Sequence, residues 1–282
     1  MKITYMNGNR LRLAFLAGAR RLAEHTQFLN RINVFPVADG DTGTNMTGTV
    51  QAVVAALAAA PGLSLSATAH AAADSALLGA KGNSGAILAQ FFQGLAEELD
   101  REVRISTRAF ADAVGKAVVK TYDALSKPVE GTLLTVLKDW GHALHRAALR
   151  TDDFLELLRT TLHDARASLD RTRDMLPELR KAGVVDAGAQ GWVHILEGII
   201  QFVTHGKLRE FRDNPLLAET EMPVDAHMVT VSNTAEPSAH RYCTECLLTG
   251  ETLDLGAVRG ILANLGDSVV VAGSARQAKV HI

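Results

Sequence analysis

The chain has 282 residues, of which 47% are hydrophobic and 21% charged, enough for one large domain or for one domain plus a smaller one. Its 29 Lys and Arg against 31 Asp and Glu give a formal charge of −2, which excludes holding nucleic acid or an anionic lipid surface by net charge. No apolar run approaches the ~20 residues of a membrane-spanning helix, and the amino-terminal apolar run carries Arg12 and is followed by Arg20 and Arg21, unlike a signal peptide. Its two cysteines lie too close in sequence to staple a fold, so we expect a protein of the reducing cytoplasm without stable membrane insertion.

Residues 9 to about 202 carry the pattern of an all-helical domain. Apolar residues recur at three- and four-residue steps, as in Leu11, Phe15, Leu22 and Leu29, and Gly and Pro cluster between the repeats. Eight helices are predicted, at about 9–30, 44–60, 66–78, 84 onward, 106–125, 132–150, 151 onward and 186 onward.

The composition changes after Gly206, where three of the seven prolines and several Ser, Thr and Asn residues predict a linker over 207–240. The pattern of the last segment, 241–282, predicts a strand, a helix and two further strands. Some 40 residues bury a poor core alone, and the last strand ends at the final residue. We therefore expect a helical domain over 1–206, a linker, and the start of a small α/β domain that continues in a longer protein.

Four segments rich in Gly and polar residues precede the second, fourth, sixth and eighth predicted helices, at 33–46, 79–85, 130–135 and 183–191. If consecutive helices run antiparallel, the starts of all even-numbered helices lie at one end of a bundle. Helix amino termini carry free N–H groups and partial positive charge, and small residues allow a close approach. The pattern therefore predicts an anion or nucleotide site at that end.

The pair Asp39 and Asp41 lies in the first of these segments and supplies the hard oxygen ligands that Mg²⁺ prefers. The alternative is that Asp41 or Thr42 merely caps the second helix and Asp39 makes a turn. Neither a Walker loop nor a GxGxxG turn occurs in the chain, so a nucleotide site here would be of another kind.

The four segments, in this order and spacing, resemble the nucleotide-binding subunit of dihydroxyacetone kinases and, more closely, the amino-terminal kinase domain of bacterial fatty acid kinase. The resemblance rests on the strings NVFPVADGDTGTNM, GAKGNSGAILAQ, EGTLLTV and VVDAGAQG and covers roughly residues 5–205. The tail, from RYCTECLL to GDSVVVAGSARQAKVHI, resembles the start of the domain that follows in that family. The resemblance implies an all-α, eight-helix up-and-down antiparallel barrel with ATP and Mg²⁺ at one end.

By position, Asp39 and Asp41 match the family's Mg²⁺-binding acids and form, with Thr42, the implied catalytic set. Asn33 is the nearest counterpart of a third metal-binding acid, offset by one residue, and an Asn is usual in the fatty acid kinase branch. The other implied contacts to phosphates, metal or nucleoside come from small and polar residues: Thr42, Gly43, Thr44, Asn45, Gly82, Asn83, Ser84, Gly85, Thr132, Asp186 and Gly188. In the tail, Cys243 and His281 match positions that bind Zn²⁺ with another His, although two ligands alone would make a weak site.

The resemblance implies an ATP- and Mg²⁺-dependent phosphotransferase subunit that phosphorylates a fatty acid carboxylate presented by a separate fatty-acid-binding partner protein. A homodimer is left open. Two alternatives stay open as well. One is a dihydroxyacetone-kinase-like subunit that phosphorylates a small hydroxyl substrate, and the other is a nucleotide-sensing module without turnover.

Overall fold

The structure, a computed structural model, describes residues 2–59, 62–205 and 243–282, and these residues form eleven helices and five short strands. The helices are α1 (Gly8–Glu24), α2 (Thr26–Arg31), α3 (Thr42–Ala59), α4 (Leu65–Gly79), α5 (Gly82–Glu98), α6 (Thr107–Asp123), α7 (Leu133–Ala148), α8 (Phe154–Met175), α9 (Pro177–Ala182), α10 (Ala187–His205) and α11 (Leu255–Leu262). The strands are β1 (Met6–Asn7), β2 (Arg104–Ile105), β3 (Glu245–Thr249), β4 (Val270–Gly273) and β5 (Gln277–His281).

Eight long helices form a closed ring. Each of α1, α3, α4, α5, α6, α7, α8 and α10 packs against the next in this order, and α10 returns to α1. This is the predicted eight-helix up-and-down barrel, so the all-α fold class is confirmed. No helix among the described residues is long and apolar enough to cross a bilayer.

The prediction of a single first helix over 9–30 was wrong in one respect. The structure breaks this segment at His25 into the two helices α1 and α2. The N–H of His25 turns back to the carbonyl of Leu22, at 3.0 Å, and the hydroxyl of Thr26 donates to the carbonyl of Ala23. These local bonds end α1 at Glu24, six residues before the predicted end of the helix. The short α2 then places Asn30 beside the start of α3.

The interior of the ring is filled by side chains. Trp192 meets Phe91 and Trp140 edge to face, with ring centroids 5.3 and 5.2 Å apart, and all three side chains are buried. Edge-to-face packing of aromatic rings adds to the stabilisation from burial alone. The interior of the barrel is therefore a packed core, and a ligand-binding site would have to lie at one of its ends.

The tail forms a three-stranded antiparallel sheet of order β3-β5-β4, covered by α11. Along β4, alternate residues face opposite ways: Val271 packs with the tail's own cluster, whereas Val270 and Ala272 join the barrel core. The barrel thus supplies the burial that this small segment lacks by itself. The predicted linker over 207–240 lies outside the described residues, and the division of the chain at these boundaries stays a prediction.

Candidate functional site

The starts of α5, α7 and α10 meet at one end of the barrel. The carboxylate of Asp186, just before α10, accepts hydrogen bonds from the N–H of Ala189 in α10, at 2.8 Å, and of Leu133 in α7. A Cβ atom on Gly188 would lie 3.2 Å from Oγ of Ser84 in α5. Glycine is therefore what allows these helix starts to approach so closely.

The starts of α3 and α5 are equally close. Gly82, the first residue of α5, has φ +58°, and a Cβ atom there would lie 2.4 Å from Nδ2 of Asn45 in α3. A Cβ atom on Gly85 would lie 2.5 Å from Oγ1 of Thr49. The four predicted segments thus converge, as expected from antiparallel helices.

Asn33 organises the loop that leads into α3. Its Nδ2 donates to the carbonyl of Val37, at 2.7 Å, and to Oδ1 of Asp39, at 3.0 Å, while its Oδ1 accepts from the hydroxyl of Thr42. The side chain is buried. Asn33 therefore holds both Asp39 and Thr42 in place, and its proposed role as a third metal ligand stays a prediction.

Asp39 and Asp41 face the same space and repel each other. Partial burial of Asp39, together with the charge of Asp41 nearby, raises the pKa of Asp39 to about 6. Ionising two neighbouring carboxylates together costs free energy, because their negative charges repel. A cation bound between them offsets this repulsion. This donor set fits Mg²⁺, and the adjacent start of α5 fits phosphate oxygens.

A cleft with a volume of about 1080 Å³ lies between this end of the barrel and the tail. One wall is polar and carries most of the predicted site, and the residues concerned are Asn33, Asp39, Asp41, Thr42, Asn45, Gly82, Asn83 and Ser84. The other wall comes from the tail and is mixed, with apolar Leu262, Leu265 and Ile282 and polar or charged Thr244, Glu245 and Asp267. Val37 and Leu265, which both line the cleft, are 57% and 67% exposed.

Several predicted nucleotide-binding residues do not line this cleft: Gly43, Thr44, Gly85, Thr132, Asp186 and Gly188. Thr44 is tied to Asn30, because its N–H and its hydroxyl both bond the Asn30 side chain at 3.0 and 2.9 Å. Thr132 caps α7 through Leu134, and burial raises the pKa of Asp186 to about 6. In the described residues these groups hold helix starts together, and their contacts to a nucleotide stay predictions.

The tail brings Cys243, Glu245 and His281 together, with their ligand atoms within 4.8 Å of one another. Sγ of Cys243 lies 3.4 Å from Nδ1 of His281, which lies 3.2 Å from Oε1 of Glu245. Burial and the charge of Glu245 raise the pKa of the Cys243 thiol. The sequence reasoning missed Glu245, although its position two residues after Cys243 on a predicted strand places both on one face. Zn²⁺ at this cluster stays a prediction.

The fold is that of a known kinase. The crystal structure of the dihydroxyacetone kinase from C. freundii in complex with AMP-PNP and Mg²⁺ matches 67% of this chain and 33% of that chain, with a TM-score of 0.52 and 17% identity. At this identity the likeness shows the fold alone. It shows that the barrel has the helical fold found in part of that structure.

Sequence comparison then gives the family. The family model of the DAK2 domain matches residues 36–201, and the chain belongs to this family. A second family model, that of the FakA-like middle domain of fatty acid kinase, matches residues 239–282. The resemblance seen in the sequence is thereby confirmed for both the barrel and the tail.

Similar proteins occur in several bacteria. Protein YloV of Bacillus subtilis is 33% identical over 291 residues, which cover 100% of this chain and 52% of the relative. An uncharacterized protein of Staphylococcus saprophyticus is 32% identical over 284 residues, which cover 99% of this chain and 51% of the relative. The chain spans about half the length of the curated relatives it matches.

Proposed function

We propose that this chain is the ATP-binding part of a kinase that transfers the γ-phosphate of ATP to the carboxylate of a fatty acid, giving an acyl phosphate. A separate fatty-acid-binding partner protein would present the acyl chain. The observation that carries the proposal is the juxtaposition of Asp39 and Asp41 with the starts of α3 and α5 in one cleft. The family match supports a kinase-like subunit, and the middle-domain match favours the fatty acid branch.

In this proposal Asp39 and Asp41 hold Mg²⁺, which supplies positive charge to the phosphates when bound. Asn33 keeps Asp39 and Thr42 oriented through the three hydrogen bonds described above. The N–H groups at the start of α5, with the side chains of Asn83 and Ser84, bind phosphate oxygens. The protein's contribution is then chiefly positioning and charge stabilisation, which phosphoryl transfer requires most.

The acceptor needs no general base. A carboxylic acid with a pKa of roughly 4 to 5 is already ionised near pH 7. Its oxygen bonds to the γ-phosphorus while the bond to the β,γ-bridging oxygen breaks, and ADP leaves. The apolar residues Val37, Leu262 and Leu265 in the lining of the cleft support an acceptor with a hydrocarbon portion over a small polar alcohol.

Calorimetric titration with Mg²⁺ and the ATP analogue AMP-PNP tests the nucleotide site. Wild type should bind in Mg²⁺ and lose binding in EDTA. Asp41→Asn should bind at least about ten-fold more weakly, because it removes one metal ligand and its charge. The matched control is Asp123→Asn, an exposed acid at the end of α6, which should bind like wild type. Equal binding by Asp41→Asn and wild type would remove Asp41 from the metal site.

A second experiment tests the acceptor. The whole protein is incubated with Mg·ATP, a fatty acid and a fatty-acid-binding protein, and hydroxylamine traps any acyl phosphate as a hydroxamate. Hydroxamate that depends on all components supports the proposal. ADP formation with dihydroxyacetone instead would support the alcohol acceptor. Nucleotide binding without transfer to either acceptor would support the nucleotide-sensing module.

A further inference from the structure

Glu245 of the tail reaches the start of α5. Its Oε1 accepts a hydrogen bond of 2.7 Å from the backbone N–H of Gly82, the first residue of that helix, 163 positions away in the chain. The first N–H groups of a helix lack partners within the helix and carry partial positive charge, so they attract anionic oxygens. The Glu245 carboxylate therefore takes the place that such an oxygen would take.

The tail holds Glu245 in that place from behind. Nζ of Lys279 lies 3.0 Å from its Oε2, and Nδ1 of His281 lies 3.2 Å from its Oε1. Both partners are largely buried, with 15% and 8% of their side chains exposed. These contacts lie within the tail and do not involve the barrel.

The sheet is anchored to the barrel at a different place. The N–H of Gly273 in β4 donates to Oε1 of Gln90 at 2.7 Å, and the N–H of Val271 donates to the carbonyl of Ala124 at 3.0 Å. β4 and β3 are the two edges of the sheet, with β5 between them. The contact from β3 to Gly82 can therefore break while β4 stays attached.

The negative charge in the cleft opposes the binding of an anion while Glu245 contacts Gly82. The acids Glu245, Asp39, Asp41 and Asp267 line the same cleft together with the cation Lys81, so acids outnumber basic side chains there. Glu245 already uses the Gly82 N–H. A phosphate arriving there meets a like charge and an occupied donor, and both cost free energy. Removal of the Glu245 charge relieves the first cost and weakens the hydrogen bond that causes the second.

We propose that Glu245 is an internal competitor for the phosphates of the nucleotide, so that Mg·ATP binds by displacing its carboxylate from the start of α5. This inference rests on the proposed function, since it takes the start of α5 to be the phosphate site. It assigns a regulatory contact to the tail. Whatever draws Glu245 further into the tail, away from Gly82, raises nucleotide affinity.

The test is calorimetric titration of the full chain with Mg·AMP-PNP. Glu245→Gln keeps the shape and an acceptor oxygen but loses the charge, and it should bind about ten-fold more tightly than wild type. The matched control is Glu251→Gln, an exposed acid elsewhere on the tail, which should stay within about two-fold of wild type. Thermal melts of all three proteins show whether they are equally folded.

Unchanged or weaker binding by Glu245→Gln, with a wild type that binds, would overturn the competitor and leave the nucleotide site standing. No Mg²⁺-dependent binding by any of the three proteins would overturn both proposals. A structure of the wild-type protein with Mg·AMP-PNP bound is a further test of displacement, and it requires no variant. Glu245 should then have left the Gly82 N–H, and an intact contact beside bound nucleotide would refute displacement.

Discussion

Replacing Asn33 with alanine should destabilise the fold and loosen the acidic loop. The change removes the bonds of Asn33 to the Val37 carbonyl and to Asp39, at 2.7 and 3.0 Å, and the bond from Thr42. A neutral hydrogen bond contributes about 1 kcal/mol net, and one to a charged group roughly 1.5 to 3 kcal/mol. Since Asn33 is only 6% exposed but lines an open cleft, some partners regain water, and we expect a loss of about 3 kcal/mol.

For a chain of this size a loss of about 3 kcal/mol lowers the melting temperature by roughly 5 °C. Circular dichroism melts of Asn33→Ala and wild type measure it. The matched control is Asn264→Ala, an exposed Asn whose side chain makes a 3.1 Å bond to the carbonyl of Gly260, with an expected change within about 0.5 kcal/mol. Binding of Mg·AMP-PNP should also weaken about ten-fold, because Asp39 and Thr42 lose their orientation.

Two results would count against this reasoning in different ways. If Asn33→Ala melts like wild type and binds like wild type, Asn33 does not hold the loop. If it melts like wild type but loses Mg²⁺-dependent binding, its role is that of a metal ligand, as the family resemblance implies.

Two further predictions concern the same end of the barrel. Burial and the neighbouring Asp41 raise the pKa of Asp39 to about 6, so in the proposed metal site Mg²⁺ competes with a proton for Asp39. Mg²⁺ affinity should fall about ten-fold per pH unit below that value, with proton release visible as a buffer-dependent calorimetric enthalpy. A pH-independent affinity between 5 and 7 would contradict it. Gly43→Ala would place a Cβ atom 2.2 Å from the Thr26 carbonyl oxygen and should destabilise by roughly 1 to 3 kcal/mol. On the same helix, Gly48→Ala meets nothing within 4 Å and should stabilise by up to about 1 kcal/mol. Denaturant unfolding compares the two, and equal effects would refute the clash.

Most of the barrel could be predicted from the sequence because helices are determined largely by residues close together in the chain. Apolar spacing, glycine punctuation and caps such as Ser106, which accepts from the N–H of Ala109, lie within a few residues of the element they define. The break at His25 was not predicted. The apolar pattern runs through it, and the local hydrogen bonds that end α1 leave no separate trace in composition.

The candidate site was predicted in part. Because neighbouring helices run antiparallel, the starts of alternate helices lie at one end of the barrel, and the four polar segments were expected there. The hydrogen bond from the N–H of Leu133 to the Asp186 carboxylate joins two of these segments. Sequence position alone does not tell whether such a residue faces a ligand or caps a helix. The hydroxyl of Thr44 accepts a hydrogen bond from the Asn30 side chain. The side-chain amide of Asn33 both donates and accepts hydrogen bonds within the protein.

The sequence by itself determined the class of fold, the family and the acidic pair Asp39 and Asp41, because each follows from local periodicity or from an uninterrupted motif. The tertiary structure decided that the tail folds back over the same end of the barrel. It places the Glu245 carboxylate on the N–H of Gly82, and it places Leu265 in the lining of the cleft that also contains the acids. These contacts join residues more than a hundred positions apart. They depend on how the strands pack against α5 and pair with Leu125 just after α6, and no short stretch of sequence encodes that packing.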